Sequence, residues 1–159
     1  MVSPNEAHFT DVILRPYERF EREATSLGVK VCSETTVTRF AGLLAEPTCK
    51  ALVLIAHWHE DHVEYFDGFT PIADVVTAVP SAYCGVLDLS VCNAKPLAVA
   101  LRRMHPQLGP IKCSNVPVNY AFWLLFYASL ASKLAASGTD YWDAHEATMI
   151  EFQRAALLR

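Results

Sequence analysis

Two apolar segments of this chain each end at a side chain that can take part in nucleophilic catalysis. ALVLIA (51–56) is followed by His57, and GVLDLSV (85–91) is followed by Cys92. A short run of this kind is typical of a buried strand, and the polar residue that follows it lies at the sheet edge. If the two strands are neighbours, an imidazole and a thiol meet at that edge. Such a pair predicts a cysteine nucleophile activated by a histidine base.

A second motif overlaps the first. Four side chains form the pattern HxHxDH: His57, His59, Asp61 and His62. This run resembles the zinc-binding sequence of the metallo-β-lactamase fold, and a catalytic zinc needs three protein ligands and an open position. The later histidines, His105 and His145, lie near or inside predicted helices, and the chain ends in helices rather than in a second sheet. We therefore expect no metal and no cofactor, and a zinc hydrolase is the less favoured alternative.

The elements that must position these residues alternate between strands and helices. Strands are predicted at 9–14, 29–32, 51–56, 83–91 and 111–118. Helices are predicted at 16–27, 35–45, 96–105, 119–136 and 140–157, with a hairpin around Asp67-Gly68 and residues 72–79 left open. This alternation predicts an α/β fold, a three-layer αβα sandwich around a mostly parallel sheet. In such sheets reactive groups collect at the carboxyl ends of the strands, where His57 and Cys92 both lie.

Composition limits the remaining possibilities. A length of 159 residues with 52% hydrophobic content predicts one domain over residues 1–159. The net charge of −4 and the lack of a Lys/Arg cluster argue against a nucleic-acid partner. Five cysteines without CxxC pairing, and a start without a secretory pattern, predict reduced thiols in the cytoplasm. The apolar stretch 116–136 contains Pro117 and Lys133, so a buried helix is expected there rather than a membrane span.

The order of these motifs resembles a known family. LVLIAHW followed by GVLDLSVCNA is similar to the caspase-like clan of cysteine peptidases, and in particular to its CHAT-type bacterial group. The C-terminal FWLLFYASLA and SGTDYWDAHEATMIEFQRA are similar to the helices that end that group. The resemblance covers roughly residues 25 to 155 in order. It implies a caspase-hemoglobinase type of fold and a cysteine endopeptidase that cleaves a protein or peptide substrate.

The resemblance also implies a role for each site residue. His57 matches the base and Cys92 the nucleophile, while Trp58 stands where the family has the glycine whose N–H binds the oxyanion. His59 is the alternative base. Asp88 shares the face of Cys92 by the period of two, so it is either a substrate-binding residue or a hydrogen-bonded structural carboxylate. An activating partner protein and a homodimer are expected from the family, and an inactive interaction module is the main alternative to an active enzyme.

Overall fold

The computed structural model describes residues 11–114 and 120–157 of the chain. Its helices are α1 (Asp11–Ser26), α2 (Val37–Ala45), α3 (Ile72–Ala78), α4 (Lys95–Met104), α5 (Tyr120–Ser137) and α6 (Tyr141–Leu157). Its strands are β1 (Ala51–Ala56), β2 (Trp58–His59), β3 (His62–Tyr65), β4 (Gly68–Pro71), β5 (Val86–Val91) and β6 (Ile111–Cys113). The predicted α/β class is therefore confirmed.

The chain divides into two compact units. The first comprises Met1–Phe9 and Cys32–Val118, and the second comprises Thr10–Val31 and Asn119–Arg159. The six strands of the described residues all lie in the first unit, and so does every residue predicted for the site. A single domain over residues 1–159 stays a prediction.

A parallel three-stranded sheet in the order β1-β5-β6 is the centre of the first unit. β1 and β5 are paired over their whole length, from Ala51 opposite Val86 to Ala56 opposite Val91. Alternate residues on one face enter a hydrophobic core that also takes side chains from α2, α3 and α4. Its members from the two paired strands are Leu54, Ala56, Leu87, Leu89 and Val91. This burial fixes the register of β5, because a slip of one residue would turn Asp88 and Ser90 towards the core.

The helices around this core begin where the sequence provides a start signal. In α2 the Thr36 hydroxyl accepts a hydrogen bond from the backbone N–H of Arg39 at 3.2 Å, which is a typical N-cap. α4 carries Pro96 in its first turn, where a missing N–H has no cost. Leu97 and Leu101, four residues apart on one face, are both completely buried. These helices confirm the predictions for 35–45 and 96–105 to within two residues.

The segment after β1 forms a second, antiparallel sheet in the order β2-β3-β4. Its first turn contains Glu60 at φ 53°, and Gly68, at φ 130°, begins β4 directly after the second turn. A positive φ is costly for residues other than glycine, so Gly68 suits the start of β4, and the pairing of β3 with β4 confirms the hairpin predicted around Asp67-Gly68. Residues 72–79, which the sequence left open, form α3 over Ile72–Ala78.

The second unit is helical. α5 packs against α1 and against α6. Between α5 and α6, the ring of Phe126 lies 4.9 Å from that of His145 and 5.7 Å from that of Phe152. Over residues 11–114 and 120–157, none of the helices has the length and apolar character required to cross a bilayer.

Two strand predictions are wrong. The first, over residues 9–14, falls on α1 from Asp11 onward, and residues 9 and 10 lie outside the described part. Tyr17, Phe20 and Ala24 are buried at helical spacing, so the helix period decides the structure there.

The second wrong strand is VKVC at 29–32, where no strand is found. Gly28, at φ 81°, ends α1, and its N–H donates to the Thr25 carbonyl at 3.0 Å. The N–H of Val29 donates to the Ala24 carbonyl at 3.0 Å, which completes a Schellman motif. This helix end holds the backbone of Val29. The predicted strand at 111–118 is found only as Ile111–Cys113, and residues 115–118 lie outside the described part.

Candidate active site

His57 and Cys92 follow directly after the last paired residues of two neighbouring strands. Ala56 of β1 lies opposite Val91 of β5, and each is succeeded by one of the two reactive residues. Parallel strands lie about 4.8 Å apart, so the two backbones reach the carboxyl edge side by side. The side chains of Ala56 and Val91 both belong to the core. Because successive side chains of a strand point to opposite faces, those of His57 and Cys92 lie on the face away from the core. The imidazole is exposed and the thiol is half-buried.

Cys92 lies at a tight connection between β5 and α4. Asn93 has φ 54°, in the left-handed region that asparagine enters more readily than most residues. Ala94 is the N-cap of α4, is completely buried, and donates its N–H to the Ser114 carbonyl at 3.2 Å. Asn93 is therefore held in a left-handed turn, and Ala94 is held by its hydrogen bond to Ser114, the residue after β6. This holds the thiol at the sheet edge.

The backbone N–H of Trp58 lies outside the hydrogen-bonded ladder of β2 and β3. The N–H of Glu64 donates to the His57 carbonyl at 3.0 Å, and Trp58 is the next residue of β2, paired with Val63. In an antiparallel ladder, residues alternate between bonding their neighbour and pointing away from it. The N–H of Trp58 therefore points away from β3, at the outer edge of the sheet. Its indole packs against the core of the first unit, on the face opposite to that of His57 and His59.

His59 lies farther along the hairpin, on the His57 side of β2. It pairs with His62 across the turn, and its ring lies 5.6 Å from the ring of Phe69 on β4. Of the histidines of the HxHxDH run, His59 and His62 are thus cross-strand neighbours, and His57 lies two residues before His59. In the described part of the chain, no three His, Cys, Asp or Glu side chains converge in a way that could hold a metal ion.

Asp88 lies in the middle of β5 and is completely buried. Its carboxylate accepts from the Lys112 ammonium, at 3.3 Å and 3.4 Å for the two oxygens, and from the Ser90 hydroxyl at 3.4 Å. Burial lowers the pKa of Lys112 from its usual 10.5, and the charge of Asp88 opposes that shift. Asp88 thus has a structural partner, and a part in substrate binding stays a prediction.

Sequence reasoning did not identify Lys112. The only signal was a lysine between two apolar residues, Ile111 and Cys113, in a three-residue strand. The side chain of a lysine in a strand lies next to the side chain of its register partner in the neighbouring strand, and here that partner is Asp88 of β5. The pairing becomes visible only when the strand order is known.

Comparison with known proteins assigns this chain to no family. A scan against protein-family models finds none that matches this chain, and a search of curated proteins finds no relative.

Proposed function

We propose that this protein is a cysteine endopeptidase in which His57 and Cys92 form a catalytic dyad. The observation that supports it is the register of β1 and β5, whose paired ends at Ala56 and Val91 are followed at once by the imidazole and the thiol. When a nucleophile and its base follow neighbouring paired strands, the pairing of the strands itself brings them together, and no third residue is required to position them. The resemblance to the caspase-like clan assigns the same two residues to the same two roles.

The chemistry follows from these positions. His57 takes the proton of Cys92, and the thiolate attacks the carbonyl carbon of a peptide bond. The backbone N–H groups of Trp58 and Cys92 stabilise the oxyanion that forms. His57 then returns the proton to the leaving amine. Water hydrolyses the thioester and releases Cys92.

The finer features of the fold and of the partners belong to the same proposal. We infer a three-layer αβα arrangement of the caspase-hemoglobinase type, for which the parallel sheet and its helices are support. The substrate is a protein or peptide, the location is the cytoplasm, and an activating partner protein or a second copy of the chain regulates the site. Trp58, in place of the glycine of the resembling family, is compatible with activity because its indole packs away from His57.

An active-site-directed thiol probe tests the proposal. A peptide with an electrophilic group at its carboxyl end should label the full chain once, at Cys92, as read by intact mass and peptide mapping. Cys92→Ser should abolish the labelling. Cys84→Ser is the matched control, because Cys84 is the exposed thiol of the described part and should not affect it.

Two other outcomes would replace the proposal. Equal labelling of Cys84 and Cys92, with no hydrolysis of any peptide library, would assign the chain to the inactive interaction modules of this fold. Hydrolysis that chelators abolish and that Cys92→Ser leaves unchanged would assign it to the zinc hydrolases.

A further inference from the structure

The opposite end of the same two strands also carries a pair of thiols. Cys49 lies two residues before Ala51, the first residue of β1, and Cys84 lies two residues before Val86, the first residue of β5. Ala51 and Val86 are partners in the parallel register. The two cysteines therefore occupy equivalent positions at the amino edge of the sheet.

The residues that follow the two cysteines are in direct contact. The carbonyl of Lys50 accepts a hydrogen bond from the N–H of Val86 at 2.9 Å. A Cβ at Gly85 would lie 2.6 Å from the same carbonyl oxygen, a distance that only glycine permits. The two chain segments are thus hydrogen-bonded neighbours next to the two cysteines.

One phenol hydroxyl lies near the Cys49 sulfur, and Cys84 directly follows that tyrosine in the chain. The Tyr83 hydroxyl is 4.0 Å from the Cys49 sulfur and donates to the Val86 carbonyl at 2.9 Å. Burial raises the pKa of Tyr83, and the neighbouring thiols of Cys49 and Cys84 raise it further. Tyr83 therefore links the two segments, because its hydroxyl contacts both the Cys49 thiol and the first residue of β5.

We propose that Cys49 and Cys84 form a dithiol modification site that a two-electron oxidant, such as a peroxide, converts to a disulfide. A disulfide usually needs Cα atoms about 4.4–6.8 Å apart, and neighbouring strands lie about 4.8 Å apart. Cys84 is exposed and can meet the oxidant, while Cys49 is half-buried and suits the resolving role.

The reaction balances in two steps. The Cys84 thiolate attacks one peroxide oxygen, the O–O bond breaks, and a sulfenic acid and one water form once a proton is taken up. The Cys49 thiolate then attacks the sulfenic sulfur, the S–O bond breaks, and the departing hydroxide is protonated to the second water. Both thiols are oxidised and the peroxide is reduced. The product joins β1 and β5 at the end away from His57 and Cys92.

The test is oxidation of the full chain with hydrogen peroxide, followed by alkylation of the remaining thiols and digestion without reductant. A peptide that links Cys49 to Cys84, formed with loss of two hydrogen atoms and reversed by dithiothreitol, is the expected product. Cys49→Ser and Cys84→Ser should each remove it. Cys113→Ser, at a half-buried thiol of β6, should leave it intact.

Several results would overturn the inference. They are a stable sulfinic or sulfonic acid at Cys84 with Cys49 still alkylated, a link from either cysteine to a different thiol, and a cross-link found only between two copies. The wild-type mapping needs no substitution, so it is decisive even if a variant does not fold. Because the thiol probe reports on Cys92 at the other edge of the sheet, the proposed function and this site can fail independently.

Discussion

The buried ion pair of the central sheet yields the sharpest prediction on stability. Asp88 has no exposed side-chain surface, and the Lys112 side chain is only 16% exposed. Removing one member of such a pair leaves the other charge buried without its counter-ion, at a cost of roughly 3–5 kcal/mol. Because the contacts of 3.3 Å and 3.4 Å are longer than those of an ideal charged hydrogen bond, we expect the lower end of that range.

The perturbation is a cycle of Lys112→Met, Asp88→Asn and the double variant. Each single change should lower the free energy of unfolding by about 3 kcal/mol. For a chain of this size that corresponds to a fall of roughly 6–12 °C in Tm. The double variant should lose clearly less than either single variant, because no buried charge is left without its partner.

Urea unfolding followed by circular dichroism measures the cycle, and Lys133→Met is the matched control. Lys133 forms an ion pair with Glu151 at 2.8 Å, and both side chains are partly exposed, so its loss should cost less than about 1 kcal/mol. The reasoning is refuted if the losses from Lys112→Met and Asp88→Asn add to within about 0.5 kcal/mol in the double variant.

Three further predictions follow from single positions. Gly85→Ala should lower the free energy of unfolding by about 1–3 kcal/mol, because a Cβ there would lie 2.6 Å from the Lys50 carbonyl oxygen. Gly42→Ala, at an open position inside α2, should raise it by about 0.5–1 kcal/mol. Equal effects of the two substitutions in thermal unfolding would contradict the close contact at Gly85. Thr36→Ala should cost about 1 kcal/mol through the lost N-cap, and Thr36→Ser should restore most of it in the same assay. The lowered pKa of Lys112 means that burying its ammonium costs stability below that pKa, and that the cost is relieved as the pH rises towards 10.5. The stability of wild type relative to Lys112→Met should therefore increase over that window in urea titrations, and a flat or falling difference would contradict the assignment.

The sequence predicted most of the elements that carry the proposed site. The strands predicted at 51–56 and 83–91 are found as Ala51–Ala56 and Val86–Val91; the first run is apolar throughout, and the second is interrupted by Asp88 and Ser90. Their mutual register was not predictable, because β-branched residues favour a strand without selecting its partner. Consequently the adjacency of His57 and Cys92 depends on long-range pairing that only the three-dimensional structure shows.

The errors have a local origin. VKVC has the composition of a strand, but the Schellman motif around Gly28 uses its first backbone N–H. The stretch from Asp11 has too few residues before Pro16 to separate a period of two from one of 3.6. The partner of Asp88 was missed because Lys112 lies in a separate strand, 24 residues away in sequence.

The central claim is that one imidazole and one sulfur atom act together at the carboxyl edge of the parallel sheet. A crystal structure of the full chain after reaction with a peptide aldehyde tests it most directly. We expect a single covalent bond to the Cys92 sulfur, with a ring nitrogen of His57 in hydrogen-bond reach of the adduct and the Trp58 N–H directed at its oxygen. An adduct on another cysteine, or a Cys92 adduct with the His57 ring turned away from it, would contradict the account.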